Sequence, residues 1–204
     1  LYIGDIQGEY DLFFELMDRT YSEVGSTKTI LLGDVGDRGP ETIKCFKLAF
    51  EILEQNKENK YLIGNHEQLL IGSLLENNSD KYSPTFIHNG GGWLIDHLDE
   101  NSTDESWTPT ALRSHLKSVL GFDIILAFCR SNEELMNRLI SGEKTPELTH
   151  HIDGSVIAVH AGINTTSGID VVERLAERSV ILPKPEKNEK ISAMTVLWTR
   201  KPFI

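Results

Sequence analysis

The sequence has only two cysteines, fewer basic than acidic residues and no long apolar run, and each scarcity excludes a class of protein. Cys45 and Cys129 lie in apolar segments with helical spacing, which indicates buried thiols in a reducing compartment rather than a disulfide framework. The 20 lysines and arginines against 31 acids give a net charge of −11 without a basic stripe, so no nucleic-acid partner is expected. No apolar run is long enough to cross a membrane, and we expect a cytoplasmic protein.

The remaining composition is that of an ordinary globular domain, with 39% hydrophobic and 25% charged residues. A chain of 204 residues is long enough for one well-packed domain with an insertion, and short for two. We therefore expect a single domain over residues 1–204. Its excess of acids suits the binding of divalent cations.

Short apolar runs alternate with amphipathic segments over the first part of the chain. The pattern predicts strands at 1–4, 29–33 and 60–64, and helices at 10–21, from Pro40 onward and at 66–75. This order predicts neighbouring parallel strands joined by right-handed crossovers, and hence an α/β fold.

The middle of the chain, about 76–150, is predicted to be a helical insertion. Its segments ENNSDKYSP and DENSTDESWTP are interpreted as polar connectors, and helices are predicted at 93–98, 109–120 and 133–140. Strand patterns return at 154–162 and 193–200, on either side of a helix near 169–178. Trp93 is interpreted as a core residue of the insertion.

Similar polar phrases follow the predicted strands: GDIQG at 4–8, GDVGDRGP at 33–40, GNHE at 64–67 and HAG at 160–162. Because the carboxyl ends of neighbouring strands meet at one edge of a sheet, we expect Asp5, Asp34, Asn65 and His160 to share one crevice. Carboxylate and amide oxygens suit hard divalent cations, and imidazole suits the borderline ones. The pattern therefore predicts a metal site.

Two cations about 3.5–4 Å apart need a bridging carboxylate to offset their repulsion. Asp34 follows the middle strand and is the natural bridge. One cation would then take Asp5, Gln7 and Asp34, and the other would take Asp34, Asn65 and His160. Gln7 has an alternative interpretation as a turn residue whose amide binds the backbone.

Neighbouring residues are suited to catalysis. His66 is placed to protonate a leaving oxygen, with Asp37 orienting its imidazole. Arg38 offers a planar fork for phosphate oxygens, and Arg200 is a second candidate. The alternatives are a helix-capping role for His66 and solvent-exposed charges at the two arginines. Glu67 is predicted to face the start of the third helix.

In their order and spacing, the four motifs resemble the phosphoprotein phosphatase branch of the calcineurin-like metallophosphoesterases, over about 1–202. HNGG at 88–91 and LWTRKPF at 197–203 resemble the bacterial members of that branch. The resemblance implies a four-layer α/β/β/α sandwich forming one catalytic domain, and a site for two divalent cations. It also implies hydrolysis of phosphate monoesters by a metal-bridging hydroxide.

On this resemblance we expect a serine/threonine protein phosphatase of bacterial type. Its substrate would be a phosphorylated protein or a small phosphoester, and no partner protein is indicated. The expected cation is manganese, with magnesium, iron and zinc as the other candidates.

The chain departs from the family pattern at two places. Gln7 stands where the family has histidine, which predicts a weaker first site that favours Mn²⁺ or Mg²⁺. The family also supplies a further histidine from a Gly-His segment downstream of the position of Arg200, and no such segment precedes Ile204. We therefore expect the natural chain to continue beyond Ile204.

Two alternative functions remain at this point. GDIQG resembles the symmetrical diadenosine tetraphosphate hydrolases, although Asp37 and Glu67 are of the protein-phosphatase kind. A catalytically degraded phosphate-recognition module would also account for Gln7. Against that module stands the joint retention of Asp34, Asp37, Arg38, Asn65 and His66.

Overall fold

The computed structural model describes residues 1–76, 79–98, 108–128, 150–154 and 156–161. Several predictions fall outside the described residues: the helices at 133–140 and 169–178, the strand at 193–200, Cys129 and Arg200. In the described part of the chain, no helix has the length and apolar character that crossing a membrane requires.

The predicted parallel sheet is present. Its strands are β1 (Tyr2–Ile3), β2 (Ile30–Leu31) and β3 (Lys60–Tyr61), in the order β1-β2-β3, with Tyr2 beside Ile30 and Ile30 beside Lys60. The strands are shorter than predicted, but single backbone hydrogen bonds continue the ladder past them, from Leu32 N to Ile3 O and from Leu62 N to Leu31 O. The polar motifs start where this pairing ends.

Helices connect the strands as the apolar spacing predicts. They are α1 (Tyr10–Val24), α2 (Thr42–Gln55) and α3 (Asn65–Ser73). The helix predicted from Pro40 begins two residues later, at Thr42. Phe13 and Met17 of α1 and Phe46 and Phe50 of α2 are buried in one apolar cluster with the sheet. Cys45 is a buried free thiol, as predicted.

The insertion is helical over its described residues. It contains α4 (Ser79–Phe86), a π-helical stretch (Ile87–Gly91), α5 (Trp93–Asp96), α6 (Pro109–Leu120) and α7 (Ile124–Phe128). Helix α6 has the predicted bounds, and the Thr108 hydroxyl caps it by accepting a hydrogen bond from Ala111 N at 3.2 Å.

The prediction that ENNSDKYSP is a connector was wrong from Ser79 onward, because α4 occupies this segment despite Pro84. Tyr82 and Phe86, one helical turn apart, are both buried. The Tyr82 ring lies against Gly72 of α3, where an added Cβ would come within 2.3 Å of the ring. Burial of these two aromatic side chains outweighs the local cost of a proline inside a helix.

A second sheet carries the last motif. Strands β4 (His150–Asp153) and β5 (Val156–Val159) pair antiparallel, with His150 beside Val159. The sequence predicts β5 but not β4. Ala158 of β5 shares a buried apolar cluster with Ile30 and Leu62 of the first sheet. This contact holds β5 against the parallel sheet and directs the residue after it, His160, toward the motifs.

Candidate metal centre

Three of the predicted ligands lie together at the carboxyl ends of β1, β2 and β5. Asp5, Asp34 and His160 each place one ligand atom within 4.8 Å of the others. Asp34 lies at the centre and is 3% exposed, whereas Asp5 is exposed. The expectation that distant motifs converge on one crevice is therefore met for these residues.

Asn65 joins the cluster through His160. The His160 Nε2 atom lies 3.0 Å from Asn65 Oδ1 and 3.4 Å from Asp34 Oδ2, while Nδ1 donates a hydrogen bond to the Leu32 carbonyl at 2.8 Å. A backbone carbonyl that holds the Nδ1 proton leaves Nε2 as the ligand atom, on the side of Asp34 and Asn65. Two carboxylates, an amide oxygen and an imidazole nitrogen form a donor set that fits divalent cations.

The electrostatics of the cluster favour bound positive charge. Burial and the charge of Asp34 raise the pKa of Asp5. Burial alone would raise the pKa of Asp34, but the hydrogen bond and charge of His160 outweigh it, so that the pKa is lowered. Burial would lower the pKa of His160, whereas its interaction with Asp34 raises it to about 9. A divalent cation would supply the positive charge that a proton on His160 otherwise provides.

Beside this cluster lies the predicted catalytic pair. His66 Nδ1 is 2.7 Å from Asp37 Oδ2, and both side chains are 2% exposed. Arg38 Nη2 lies 3.2 Å from His66 Nε2, and that nitrogen is 3.8 Å from Asp34 Oδ2. Burial would lower the pKa of His66, but the hydrogen bond with Asp37 and the charge of Asp34 raise it. The imidazole therefore lies between the metal ligands and the arginine.

Gln7 lies beside Asp5 at a turn of the chain. Its backbone has φ 48°, so the chain turns there. The amide Nε2 is 3.5 Å from Asp5 Oδ2, and the amide Oε1 accepts a hydrogen bond from Arg38 at 3.1 Å. Gln7 thus stands at the edge of the ligand cluster, and its role as a ligand stays a prediction. Arg200 lies outside the described residues.

The backbone of the site is unusual. Among the described residues, the non-glycine residues with positive φ are Gln7, Asp34, Asp37 and Arg38, all of them candidate site residues. Such conformations cost free energy and persist where the surroundings enforce them. The loops after β1 and β2 enforce them here, since Gln7 N donates to Asp34 O at 2.9 Å and Gly39 N donates to Gln7 O at 2.8 Å.

A buried carboxylate ties the second and third motifs together. Glu67, 1% exposed, accepts hydrogen bonds from Asp34 N at 2.8 Å, Val35 N at 2.9 Å and Gly64 N at 2.8 Å. The Tyr61 hydroxyl donates a fourth at 2.8 Å. The predicted contact with the helix start is present, at Gly64 N. The contacts with the Asp34 loop were not predicted, because nothing in the local sequence indicates them.

Trp93 was interpreted as a core residue, and that interpretation was incomplete. Its ring packs against Phe46 and Phe86, but its indole Nε1 donates a hydrogen bond to Asp37 Oδ1 at 2.5 Å. The preceding Gly90 has φ 108°, and its carbonyl accepts a hydrogen bond from Arg38 N at 3.3 Å. The HNGG motif just before Trp93 was the signal in the sequence that this segment contacts the site.

Comparison with known proteins identifies a family. A family profile described as calcineurin-like phosphoesterase matches residues 1–196. The match confirms the predicted mixed α/β metallophosphoesterase fold, to which both sheets and their helices conform. It does not distinguish the protein-phosphatase branch.

Individual relatives are similar over shorter stretches. A zinc-dependent endopolyphosphatase of Saccharomyces cerevisiae is 35% identical over 83 residues, which are 40% of this chain and 24% of the relative. A symmetrical bis(5'-nucleosyl)-tetraphosphatase of Neisseria gonorrhoeae is 32% identical over 100 residues, 47% of this chain and 35% of the relative. An asymmetrical bis(5'-nucleosyl)-tetraphosphatase of Oceanobacillus iheyensis is 31% identical over 72 residues, 31% of this chain and 28% of the relative. The chain thus spans about a third or less of the length of these relatives.

Proposed function

This chain belongs to the calcineurin-like phosphoesterase family, and on that premise we propose that it hydrolyses the polyphosphate chain of dinucleoside tetraphosphates. Membership makes it a metal-dependent phosphoesterase. The observation that carries the proposed chemistry is Asp34, with His160 Nε2 at 3.4 Å and His66 Nε2 at 3.8 Å from the same carboxylate oxygen. Asp34 Oδ2 thus lies beside both the predicted metal ligand His160 and the predicted proton donor His66.

The substrate class is supported by the relatives. The names of the yeast, Neisseria and Oceanobacillus proteins all describe enzymes that act on linked phosphates. Each similarity covers part of the relative, so the substrate is a proposal for this chain. Gln7 supports the same class, since GDIQG resembles the symmetrical diadenosine tetraphosphate hydrolases.

Asp5, Asp34, Asn65 and His160 would hold two divalent cations, with Gln7 as a further ligand. When bound, the cations would neutralise phosphate charge and acidify the attacking water. We propose manganese as the cation on the strength of Gln7, because a neutral amide oxygen suits Mn²⁺ or Mg²⁺ better than zinc.

The remaining groups act on the substrate directly. Arg38 is exposed and extends its guanidinium between Gln7 and His66, where it would bind the oxygens of a phosphate. Arg200 is proposed as a second phosphate-binding residue. His66, with Nδ1 held by Asp37, would present a proton from Nε2 to the leaving oxygen.

A serine/threonine protein phosphatase is the second candidate, and the buried Asp37–His66 pair favours it. A terminal phosphate leaving group has a pKa of about 6 and gains less from a proton donor than an alkoxide does. The alkoxide of serine is far more basic and needs one. A histidine held by a buried carboxylate is therefore of most use against a phosphorylated hydroxyl.

Side-by-side kinetics test the proposal. The purified protein is assayed with diadenosine tetraphosphate, tripolyphosphate and a phosphoserine peptide, each in Mn²⁺ and in EDTA. The proposal predicts manganese-dependent cleavage with the highest kcat/KM on diadenosine tetraphosphate, and release of two ADP if the cut is symmetrical.

A different ranking of kcat/KM among the three substrates would favour one of the alternative functions. A higher kcat/KM on the phosphopeptide would favour the protein phosphatase. Absence of metal-stimulated turnover on all three substrates would contradict both candidates and favour the degraded recognition module.

A further inference from the structure

We propose that Trp93 of the helical insertion is a positioning residue that orients Asp37, and through it the imidazole of His66. This inference rests on the proposed function only in assigning a proton-donating role to His66. The orientation itself is a claim about two hydrogen bonds, and it is measurable without turnover.

The two oxygens of Asp37 have separate partners. Oδ2 contacts His66 Nδ1 at 2.7 Å, and Oδ1 accepts from Trp93 Nε1 at 2.5 Å. An indole nitrogen is a donor only, so this contact has one direction. Because Oδ1 is bound to Trp93, rotation of the carboxylate about its Cβ–Cγ bond would break the hydrogen bonds with both Trp93 and His66. The rotamer that meets His66 is therefore the one that Trp93 stabilises.

The indole is itself held rigidly. Its ring lies 6.3 Å from the Phe46 ring of α2 and 6.4 Å from the Phe86 ring of α4. The π-helical stretch before it approaches so closely that an added Cβ on Gly90 would lie 2.8 Å from Arg38 Cγ. Because helices on both sides fix the ring, the insertion supports the catalytic pair rather than only covering the core.

The consequence for chemistry is a defined orientation of the imidazole ring. When Asp37 Oδ2 accepts the Nδ1 proton, Nε2 faces Arg38 and Asp34, which is the side on which the phosphate would bind. Without the indole, Asp37 would sample other rotamers and His66 would present its proton in the right direction for a smaller fraction of the time. Binding of substrate should not change, because the hydrogen bond of the Trp93 indole goes to Asp37, which is not a proposed phosphate or metal ligand.

The variant Trp93→Phe tests the inference, because it removes the N–H group and keeps an aromatic ring. Phenyl phosphate, whose phenolic leaving group has a pKa of about 10, is compared with p-nitrophenyl phosphate, whose leaving group is more acidic. We expect kcat on phenyl phosphate to fall about 10-fold or more, the usual effect of losing a hydrogen bond to a charged group. The kcat on p-nitrophenyl phosphate and both KM values should change by less than about twofold, since a good leaving group needs little help from a proton donor.

Two further variants separate positioning from general damage. Phe122→Leu removes an aromatic contact with Phe50 and leaves the ring contacts of Trp93 intact, so it should lower the melting temperature and leave the ratio of the two kcat values unchanged. In an Asp37→Ala background, adding Trp93→Phe should have no further effect on that ratio, because the residue through which Trp93 acts is gone.

A spectroscopic measurement keeps the test independent of activity. An Nδ1 proton shared with a carboxylate gives a far-downfield proton NMR resonance, which we expect in the wild-type protein and in Phe122→Leu but not in Trp93→Phe. Loss of this resonance in Trp93→Phe would support the inference even if the wild-type protein hydrolysed none of the substrates, a result that would overturn the proposed function alone. Absence of the resonance from the wild-type protein, or an unchanged resonance and unchanged kcat ratio in Trp93→Phe, would overturn the inference.

Discussion

At the scale of single residues, the chemistry of the site depends on how little freedom Asp34 and His66 have. Asp34 Oδ1 accepts a hydrogen bond from His66 N at 3.0 Å, so the carboxylate also fixes the start of α3. The ring of His66 is held at Nδ1 by Asp37. Each of these groups is buried, and each has the partner its role requires. Because Asp34 is proposed as a metal ligand and His66 as a proton donor, metal binding and proton transfer can be tested separately.

His66→Asn should lower kcat about 10²- to 10⁴-fold on a substrate with a poor leaving group, the usual range for a lost general acid. Binding of Mn²⁺, measured by isothermal titration calorimetry, should stay within a few-fold of wild type, because the His66 ring is held by Asp37 and lies beside the metal ligands, 3.8 Å from Asp34, rather than among them. A large loss of manganese affinity in this variant would show that His66 is a ligand and not an acid.

Gln7→His should strengthen cation binding and shift its preference from Mn²⁺ toward Zn²⁺, because imidazole is a better ligand than an amide oxygen for borderline cations. The measurement is the dissociation constant for each cation in the variant and in wild type. The Arg38→Ala variant is the control, since it removes the hydrogen bond that holds the Gln7 amide and leaves the proposed ligands in place. Unchanged affinity and unchanged preference in Gln7→His would exclude Gln7 as a ligand.

At the scale of elements, the site is assembled by contacts between loops. Glu67, in the first turn of α3, reaches the backbone of the loop after β2, and Tyr61 of β3 supports it. The glycines of these motifs permit the close approach, since a Cβ on Gly64 would lie 2.1 Å from Asp34 Oδ1. The relative position of β2 and α3 therefore depends on Glu67 as well as on the hydrogen bond from His66 N to Asp34.

Glu67→Gln should lower the free energy of unfolding by about 1–3 kcal/mol, because an amide group in the same place leaves a buried N–H donor without an acceptor. Denaturant unfolding provides the measurement, and Mn²⁺ affinity should fall with stability as the Asp34 loop loosens. The exposed Glu15→Gln is the matched control and should change neither quantity. Equal stability of Glu67→Gln and wild type would contradict the role given to this carboxylate.

Sequence patterns identify most of these elements but not the hydrogen bonds that join them. The parallel order of β1, β2 and β3 follows from the alternation of strands and helices, and it brings Asp34 and Asn65 to one edge. Helix α4 was missed because its sequence is polar and contains Pro84, and only the burial of its aromatic side chains stabilises it. The HNGG motif indicates the segment, but Trp93 was missed as a site residue because no local pattern links it to Asp37, 56 positions away.

At the scale of the whole molecule, cation binding should be coupled to stability. A ligand that binds only the folded state stabilises it by about 2.7 kcal/mol at a concentration 100 times its dissociation constant. For a chain of this size, each kcal/mol corresponds to roughly 2–4 °C in melting temperature. Saturating Mn²⁺ should therefore raise the melting temperature by about 5–10 °C over the protein in EDTA.

The Asp34→Asn variant should abolish this shift, because the central carboxylate no longer offsets the charge of the cations. Asp18→Asn, an exposed substitution of the same kind on α1, should keep the full shift. A shift that survives in Asp34→Asn would place the bound cations elsewhere on the molecule.

The global arrangement was predictable where it follows from strand order, and not where it depends on packing between sheets. His160 was placed near Asp34 from its position after a predicted strand. The antiparallel partner of that strand, β4, has no comparable signal in the sequence. The contact of Ala158 with Ile30 and Leu62, which sets the position of His160, is a tertiary contact that no spacing rule provides.

The most direct test of the account is anomalous X-ray diffraction from crystals of the protein grown in Mn²⁺. The account predicts anomalous density within bonding distance of the Asp34 carboxylate, with Asp5 and Asn65 oxygens and His160 Nε2 around it. Density confined to other parts of the surface, or Asp34 without any adjacent peak at saturating Mn²⁺, would contradict it.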